Sequence, residues 1–370
     1  MRYDVLIIGG GPVGNYLAKL LAGKLNVAVV ERKRSFGGKA CTGIIGRESF
    51  ERLGFPEKAI VNSLRGATFR SRIRDFEISR KDAQAYVVDR KTLERKLAED
   101  AVKRGADYFV GTTFVGFRGG RARLQHLKET FEVSADVYVG ADGVASTVAR
   151  EIGAKSSAEF LKGFEVEVLG EFRRDFVEVW VDKELNPEFF YWVAPLSDDV
   201  ARVGTFGSLE ALNRFLRVRG LKPTAILEFK AGTVGLGWRR PWVRGNVALV
   251  GDAALQIKPT TAGGIVFGAI CAHHLARAIL TGDLSTYEAS CSQIKRQISF
   301  GLKVRKAFKG LNQEGIERIF EVLSSREAIE VIEEQADFDD HLRTFKAIAK
   351  RPRLLASLLR ISPSLIRALL

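Results

Sequence analysis

Residues 3–14 read YDVLIIGGGPVG, and this stretch decides the fold. Residues 3–8 form a continuous apolar run, which is typical of a strand buried on both faces of a parallel sheet. The turn that follows carries three glycines at the spacing G-x-G-x-x-G, namely Gly9, Gly11 and Gly14. A helical pattern comes next, and a second apolar strand, residues 27–30, ends in Glu31. The order of these elements predicts a Rossmann-like β-α-β unit.

Each part of this unit has a physical reason to bind a dinucleotide. Gly9 permits the tight turn, Gly11 lets the backbone approach a pyrophosphate, and Gly14 lets helix and strand pack closely. The helix N-terminus offers free N–H groups and the positive end of its dipole. Glu31 lies where an acid binds ribose hydroxyls. The unit therefore predicts adenine-dinucleotide binding, and by itself it leaves NAD and FAD open.

Two later segments favour FAD. Residues 136–150, DVYVGADGVASTVAR, run from a short strand through Asp142 into a helix. Residues 246–265, NVALVGDAALQIKPTTAGGI, bring Asp252 to the carboxyl edge of the sheet, where open α/β sheets bind ligands. There Asp252 is placed to accept a bond from a ribityl hydroxyl. The glycine-rich end of this segment opens a long helix, whose positive end would stabilise an anionic reduced flavin.

The glycine turn, Asp142 and Asp252 together resemble the FAD-dependent oxidoreductases of the para-hydroxybenzoate hydroxylase class. Within that class the chain most resembles the geranylgeranyl reductase family, including archaeal digeranylgeranylglycerophospholipid reductases. Three stretches carry the resemblance: GDAALQIKPTTAGGI at residues 251–265, PEFFYWVAP at residues 187–195, and Cys41-Thr42-Gly43 in the place of a Cys-Gly-rich loop. Leu255 and Ala262 stand where this family usually has glycine.

The resemblance implies FAD-dependent reduction of C=C double bonds in geranylgeranyl chains of membrane-lipid precursors. The expected α/β fold interleaves a Rossmann-like FAD-binding domain with an antiparallel-sheet substrate domain, and a helical region follows. The expected boundaries are residues 1–63, 89–155 and 240–290 for the FAD-binding domain, residues 64–88 and 156–239 for the substrate domain, and residues 291–370 for the helical region. Alternating β-formers such as FEVEVLGEF and FVEVWVD indicate the antiparallel sheet.

The resemblance also adds cofactor contacts. Arg90 at the start of a helix matches an Asp-Arg pair of the class, and its planar guanidinium suits phosphates or ribose. Backbone near Phe114 is expected beside the adenine. The full set of expected cofactor residues is Gly9, Gly11, Gly14, Glu31, Arg32, Cys41, Thr42, Arg90, Phe114, Asp142, Asp252, Gly263, Gly264 and Ile265.

An isolated C=C bond is unactivated, so its reduction needs a hydride from flavin N5 and a proton to the other carbon. The aromatic residues Phe190, Tyr191 and Trp192 are expected to line an apolar substrate tunnel; because strand residues alternate between faces, some of them belong to the core. Trp192 and Cys41 are the candidate catalytic residues. Cys41 is expected beside the flavin, where it packs the substrate, helps to deliver the proton, or is only a small apolar filler.

The charge of the chain points to an anionic partner. Its 370 residues include 58 Lys+Arg and 44 Asp+Glu, a net charge of +14. The last thirty residues hold no acid and seven basic residues among many leucines. Such an end suits the anionic surface of a membrane, with docking of a C-terminal helix on the protein body as the alternative. The chain shows no basic-aromatic nucleic-acid module.

Composition excludes several other classes. Hydrophobic residues make up 46% of the chain, which excludes disorder, and three cysteines exclude a disulfide-stapled miniprotein. No signal peptide or membrane-spanning pattern is visible, so we expect a cytoplasmic protein, peripheral on the cytoplasmic face of the membrane. Cys271, Cys291, His273 and His274 lack metal-ligand spacing, and a Cys271–Cys291 disulfide stays open.

Two other functions remain open from the sequence. One is an aromatic monooxygenase or halogenase of the same flavin class, and the other is a membrane-associated flavin electron carrier. The chain has no second dinucleotide fingerprint, so the electron donor is expected to bind transiently or without a Rossmann unit. NAD(P)H, a ferredoxin and other low-potential donors all fit this expectation.

Overall fold

A computed structural model describes residues 1–361. Its largest sheet contains Arg2–Ile8, Val27–Glu31, Asp107–Val110, Thr112–Arg118, Arg121–His126, Glu129–Gly140, Val243–Arg244 and Val247–Leu249. Five of these strands run parallel, and Arg2–Ile8 lies in the middle between Glu129–Gly140 and Val27–Glu31. This central position explains why the first strand is apolar without alternation: Val5, Leu6 and Ile7 are fully buried.

Three helices cover this parallel sheet and build the main core. Pro12–Leu21 lies between Arg90–Lys103 and Ile265–Leu280. Pro12 suits the first helical position, because that residue needs no N–H donor and the ring presets its backbone angle. Asp89 caps the second helix by accepting a 2.8 Å bond from the main-chain N–H of Thr92.

A second, mostly antiparallel sheet has seven strands. In spatial order they are Ile226–Leu236, Glu159–Leu169, Val200–Phe206, Tyr191–Pro195, Phe176–Trp180, Gly66–Arg70 and Asp75–Ser79. The helix Leu209–Val218 covers one face, where the ring of Phe215 stacks on Tyr191 with centroids 4.2 Å apart. The opposite face is turned toward the carboxyl edge of the parallel sheet, and the space between them is the candidate site.

Two small sheets connect the larger ones. One joins Ile44–Gly46, Ala85–Val88 and Ile60–Leu64, and the other pairs Lys155–Ser156 with Arg239–Arg240. Ala85–Val88 falls in the segment assigned from the sequence to the substrate domain, yet it pairs with strands from the segment assigned to the FAD-binding domain. The expected domain boundaries stay predictions.

The remaining helices lie mostly in the C-terminal third. They are Arg47–Arg52, Thr147–Glu151, Thr286–Ser290, Ser292–Lys309, Gln313–Leu323, Arg326–Gln335, His341–Ala349 and Pro352–Ile361, with 3₁₀ turns at Glu57–Ala59, Pro223–Ala225 and Gly251–Ala254. The expected fold class, an α/β cofactor-binding fold with an antiparallel sheet and a helical C-terminal region, is confirmed.

The helix Pro352–Ile361 docks on the protein body. Its Leu354 and Leu358 are 5% and 4% exposed and pack with Val331 and Ile348. Two leucines of the basic tail expected from the sequence are therefore covered by protein. The rest of this tail, residues 362–370, lies outside the described residues. Among residues 1–361, each helix is too short or too polar to span a lipid bilayer.

Candidate active site

A cavity of about 1110 Å³ lies between the two large sheets. Its volume exceeds the roughly 300–1,000 Å³ of ordinary small-molecule pockets, so it has room for a large cofactor and a second ligand. One side is lined by the glycine turn and the carboxyl ends of the parallel strands, and the other side by the antiparallel sheet.

The glycine turn is shaped by close backbone contacts. Gly9 has a φ of +113°, and a Cβ there would lie 2.3 Å from the carbonyl oxygen of Ala141. A Cβ on Gly14 would lie 1.9 Å from the carbonyl oxygen of Gly9. By contrast, no heavy atom among residues 1–361 comes within 4 Å of the Cβ position of Gly11. Gly9 and Gly14 are thus needed for packing, whereas Gly11 leaves the backbone open to a ligand.

The helix behind this turn presents free main-chain donors. Pro12–Leu21 follows Gly11, and within the described part of the chain no side chain caps it. Glu31 binds the turn itself: one carboxylate oxygen accepts from the N–H of Gly10 at 2.7 Å, and the other accepts from the N–H of Lys33 at 2.8 Å. An anionic group placed at Gly11 would meet the positive end of the helix.

The two acids singled out by the sequence have different partners. Asp142 binds the start of the helix Thr147–Glu151, accepting from the Thr147 N–H at 2.7 Å and from the Ser146 hydroxyl at 2.5 Å. Asp252 forms an ion pair with Lys39 at 2.5 Å. Burial alone would raise the pKa of the Asp252 carboxyl, but the Lys39 ammonium lowers it below its ordinary value. Asp252 is therefore an anion at neutral pH.

The other expected cofactor residues also border the cavity. Arg32, Arg90, Phe114, Gly263, Gly264 and Ile265 all contribute to its lining. Arg90 pairs with Glu94 at 2.5 Å, so a ligand would have to share this guanidinium with a carboxylate. Leu255 and Ala262 have φ values of +55° and +59°. This left-handed conformation favours glycine, so it costs about 1 kcal/mol or more at each of these residues.

The antiparallel sheet supplies an apolar wall, which we define as Val177, Val179, Phe190, Trp192 and Phe206. Trp192 is 8% exposed and lies at the centre of this wall. Tyr191 lies on the opposite face, fully buried against the helix Leu209–Val218. This corrects the sequence-based placement of Tyr191 beside the substrate: neighbouring strand residues alternate, so Tyr191 cannot share the face of Phe190 and Trp192.

The loop carrying Cys41 and Thr42 crosses the boundary between the wall and the glycine turn, and both residues line the cavity. Two side chains of the antiparallel sheet hold this loop. Arg202 donates to the carbonyl oxygen of Thr42 at 3.1 Å, and Glu165 accepts from the main-chain N–H of Cys41 at 3.2 Å. The Cys41 thiol is thereby placed where the two sides of the cavity meet.

A family model described as "FAD binding domain" matches residues 2–299. The chain belongs to this FAD-binding family. An uncharacterized protein of Methanocaldococcus jannaschii is 31% identical over 91% of this chain and 92% of that protein. A digeranylgeranylglycerophospholipid reductase of Methanosarcina mazei is 30% identical over 86% of this chain and 88% of that protein.

The solved structure of a geranylgeranyl bacteriochlorophyll reductase-like protein from Thermoplasma acidophilum has the same fold. It matches 97% of this chain and 99% of that chain with a TM-score of 0.83, at 21% identity. The resemblance to the geranylgeranyl reductase family is confirmed. This chain is therefore an FAD-dependent oxidoreductase.

The residues present fit FAD. The open position at Gly11 and the uncapped helix behind it suit the pyrophosphate. At the other end of the cofactor side, the helix Ile265–Leu280 begins at Gly264, again with no side-chain cap from the described residues. Its positive end and the nearby Asp252 suit the electron-accepting ring and the ribityl hydroxyls.

Three features of the site escaped the sequence analysis. Lys39 forms an ion pair with Asp252, and Lys258 forms one with Asp339, which belongs to the C-terminal region. The third is Glu165, which is 1% exposed and lines the cavity on the wall side. Of these three features, only Glu165 could have been recognised from the sequence. In the alternating strand FEVEVL it falls on the face opposite to Phe164 and Val166.

The remaining cysteines lie away from this cavity. Cys271 and Cys291 are buried free thiols. Burial, and then a hydrogen bond between the two sulfurs, raises the pKa of the Cys271 thiol. Within residues 1–361, no three His, Cys, Asp or Glu side chains come together in a way that would hold a metal ion.

Proposed function

We propose that this flavoprotein reduces C=C double bonds in the geranylgeranyl chains of membrane-lipid precursors. The observation that carries the proposal is the apolar wall, which faces the cofactor-binding elements across a single cavity. A prenyl chain has no charge and no hydrogen-bonding group, so it binds by burial of its surface, worth roughly 25 cal/mol for each Å². The Methanosarcina mazei relative, named as a digeranylgeranylglycerophospholipid reductase, supports this substrate class.

The roles of the chain's own residues follow from their positions. Gly11 and the helix behind it would bind the pyrophosphate, and Asp252 would accept from the ribityl chain. When it is bound in its reduced form, FAD supplies a hydride. The wall around Trp192 would exclude water and align the double bond, which lowers the barrier by removing the cost of orientation.

We propose that Cys41 contacts the substrate at the reacting end of the cavity. Arg202 and Glu165 bind the main chain of its loop, which holds the backbone of Cys41 beside the wall. Cys41→Ser is expected to retain flavin and to lose about tenfold or more in turnover, because a small misplacement at the reacting centre is costly. Unchanged turnover would show that Cys41 is only a filler.

We also propose a peripheral contact with an anionic lipid surface. Arg353 and Arg360 are exposed on the helix Pro352–Ile361, next to Leu359, which is 39% exposed. Each basic residue near such a surface is worth about 1 kcal/mol. Exchanging both arginines for glutamate should weaken sedimentation with anionic vesicles more than tenfold, whereas neutral vesicles serve as the control. Equal sedimentation of the variant would reject this surface.

The decisive experiment is anaerobic. The purified protein is loaded with FAD, reduced with dithionite and mixed with geranylgeranyl lipids that carry phosphate, glycerol or quinone heads. The expected result is a mass gain of two hydrogens for each double bond reduced. A parallel reaction with NADPH, oxygen and aromatic substrates tests for monooxygenase activity. Oxygen-dependent turnover there, with no mass gain on any prenyl lipid, would overturn the proposed function.

A further inference from the structure

The buried carboxyl of Glu165 lies where the wall meets the Cys41 loop. It belongs to the strand Glu159–Leu169, and its side chain faces the cavity from the same side of the sheet as Trp192. One carboxyl oxygen accepts from the main-chain N–H of Cys41 at 3.2 Å, and the other accepts from the indole N–H of Trp192 at 3.2 Å. The group therefore touches both candidate catalytic residues.

The other acids of the cavity each bind a partner away from the wall. Among residues 1–361, the further carboxyl groups in the lining are Glu31, Glu94, Asp142, Asp252 and Asp339. Three of them pair with a guanidinium or an ammonium group: Glu94 with Arg90, Asp252 with Lys39, and Asp339 with Lys258. The remaining two accept main-chain N–H bonds from the glycine turn and from the start of a helix.

Glu165 differs from these groups in its position on the wall side of the cavity. Burial also raises the pKa of Asp142, but Asp142 binds the start of the helix Thr147–Glu151 on the cofactor side. Burial raises the pKa of the Glu165 carboxyl above the ordinary value, and this effect outweighs Arg202, which acts in the opposite direction. The hydrogen bonds from Cys41 and Trp192, and then the charge of Lys230 on the neighbouring strand, also favour the ionised form. Glu167, on the same strand as Glu165, binds both Arg202 and Lys230. A carboxyl whose pKa is raised keeps its proton to a higher pH than an ordinary glutamate does, which suits a proton donor.

We infer that Glu165 is the acid that donates the proton when a C=C bond is reduced in this cavity. The inference rests on the proposed function, and it assigns a role that Cys41 would otherwise have to fill. Glu165 approaches from the wall, whereas the cofactor-binding elements lie on the opposite side of the cavity. A double bond held along the wall would thus have the acid on one side and the hydride source on the other.

The step balances in atoms and electrons. The reduced flavin gives a hydride to one carbon and is oxidised by two electrons. The O–H bond of Glu165 breaks, and its proton forms a C–H bond at the other carbon. The C=C bond becomes a C–C single bond. The resulting carboxylate takes a proton from water before the next turnover, and the electron donor reduces the flavin again.

The test compares Glu165→Gln with the control Glu178→Gln. Glu178 lies in the same sheet on the face away from the cavity, and like Glu165 it accepts from an indole N–H, that of Trp180, at 2.7 Å. Flavin content and anaerobic reduction by dithionite are measured first, followed by hydrogen addition to a geranylgeranyl lipid. We expect both variants to bind and reduce flavin. Turnover should fall about 10²–10⁴-fold in Glu165→Gln alone.

Glu165→Asp keeps the acid on a shorter side chain, so it should retain more turnover than Glu165→Gln. The wild-type rate is expected to fall as the pH rises through the pKa of Glu165, because only the protonated acid donates. Infrared spectra of the proteins without flavin give a reading independent of activity. The wild type should show an un-ionised carboxyl band at neutral pH that is lost in Glu165→Gln and shifted in Glu165→Asp.

Three outcomes are decisive against the assignment. If wild type and Glu165→Gln turn over equally, Glu165 is not the donor and the proposed function stands. If the wild type adds no hydrogen to any prenyl lipid, the proposed function falls and this assignment falls with it. If Glu165→Gln does not hold flavin, the infrared spectra decide: without an un-ionised band that shifts in Glu165→Asp, the assignment is overturned.

Discussion

The ammonium group of Lys258 lies 2.8 Å from a carboxylate oxygen of Asp339, although 81 residues separate them in the chain. Their side chains are 6% and 9% exposed. Lys258 also donates to the carbonyl oxygen of Phe338 at 2.9 Å, and Asp339 accepts from the N–H of Gly46 at 3.1 Å. Because Lys258 belongs to the loop that opens the helix Ile265–Leu280, the C-terminal helices are tied directly to the cofactor side of the cavity.

Asp339→Asn should destabilise the protein strongly, because it leaves the buried ammonium of Lys258 without a counter-charge. Removing one member of a buried ion pair typically costs about 3–5 kcal/mol. The free energy of unfolding in urea, followed by flavin fluorescence, measures this loss. Glu334→Gln, at an exposed position of the preceding helix, is the control and should change it by less than about 0.5 kcal/mol. Equal effects of the two substitutions would contradict a buried pair.

His341 gives the protein a pH-dependent stability. Burial, and then the nearby Lys258, lowers the pKa of His341 to about 3. Its Nδ1 lies 2.6 Å from the Thr260 hydroxyl and its Nε2 lies 3.1 Å from the carbonyl oxygen of Phe338, which suits a neutral ring. As the pH falls below about 6.5, the unfolded chain binds a proton that the folded protein does not.

The free energy of unfolding should therefore fall by up to about 1.4 kcal/mol for each pH unit below about 6.5. His341→Gln should remove the share of this slope that comes from His341, because Gln does not titrate. His274, whose pKa is also lowered by burial, contributes equally in both proteins. Urea unfolding of both proteins between about pH 6.5 and about pH 5 isolates the histidine, since most carboxyl groups titrate lower. Parallel slopes for the two proteins would show that folding does not lower the pKa of His341.

The glycines of the first turn should respond differently to alanine. Gly11→Ala has open space for the added methyl and should fold normally, but with weakened FAD binding, since the methyl points to where a pyrophosphate would lie. Gly14→Ala brings the methyl within 1.9 Å of the Gly9 carbonyl oxygen and should fail to fold stably. Circular dichroism and flavin titration separate these outcomes. A well-folded Gly14→Ala protein with full flavin affinity would refute the close packing of this turn.

Local patterns predicted the elements on the cofactor side, because these elements follow one another in the chain. The apolar strand, the turn at Gly9 and the acid Glu31 all lie within the first thirty-one residues. Asp252 was placed correctly at the edge of the sheet, since a strand ends just before it. Its partner Lys39 was not foreseen, because an ion pair between distant loops leaves no periodic signal.

The apolar wall was predicted less completely, because the elements that cover it are distant in the chain. Alternation separates Tyr191 from Trp192, but the sequence does not show which face of the strand is covered by the helix Leu209–Val218. Glu165 was overlooked because one acid in an alternating strand is also typical of a solvent-exposed face. Its burial depends on the Cys41 loop, more than one hundred residues away in the chain.

Trp192 and Tyr191 provide a direct test of which face binds the substrate. Trp192→Ala removes the centre of the apolar wall, and the loss of about 1.5–3 kcal/mol of burial should lower kcat/KM for a geranylgeranyl lipid by roughly 10- to 100-fold. Trp192→Phe keeps most of the apolar surface but loses the indole bond to Glu165. It should therefore affect kcat more than KM.

Tyr191→Phe is the matched control on the other face. It loses only the hydroxyl bond to the Ala211 carbonyl oxygen at 3.3 Å, so it should cost about 1 kcal/mol of stability and leave turnover unchanged. Steady-state kinetics with one lipid substrate and thermal unfolding of each variant give both quantities. If Tyr191→Phe lowered kcat/KM as much as Trp192→Ala, the substrate would have to bind on the helix-covered face. The wall defined by Val177, Val179, Phe190, Trp192 and Phe206 would then be rejected.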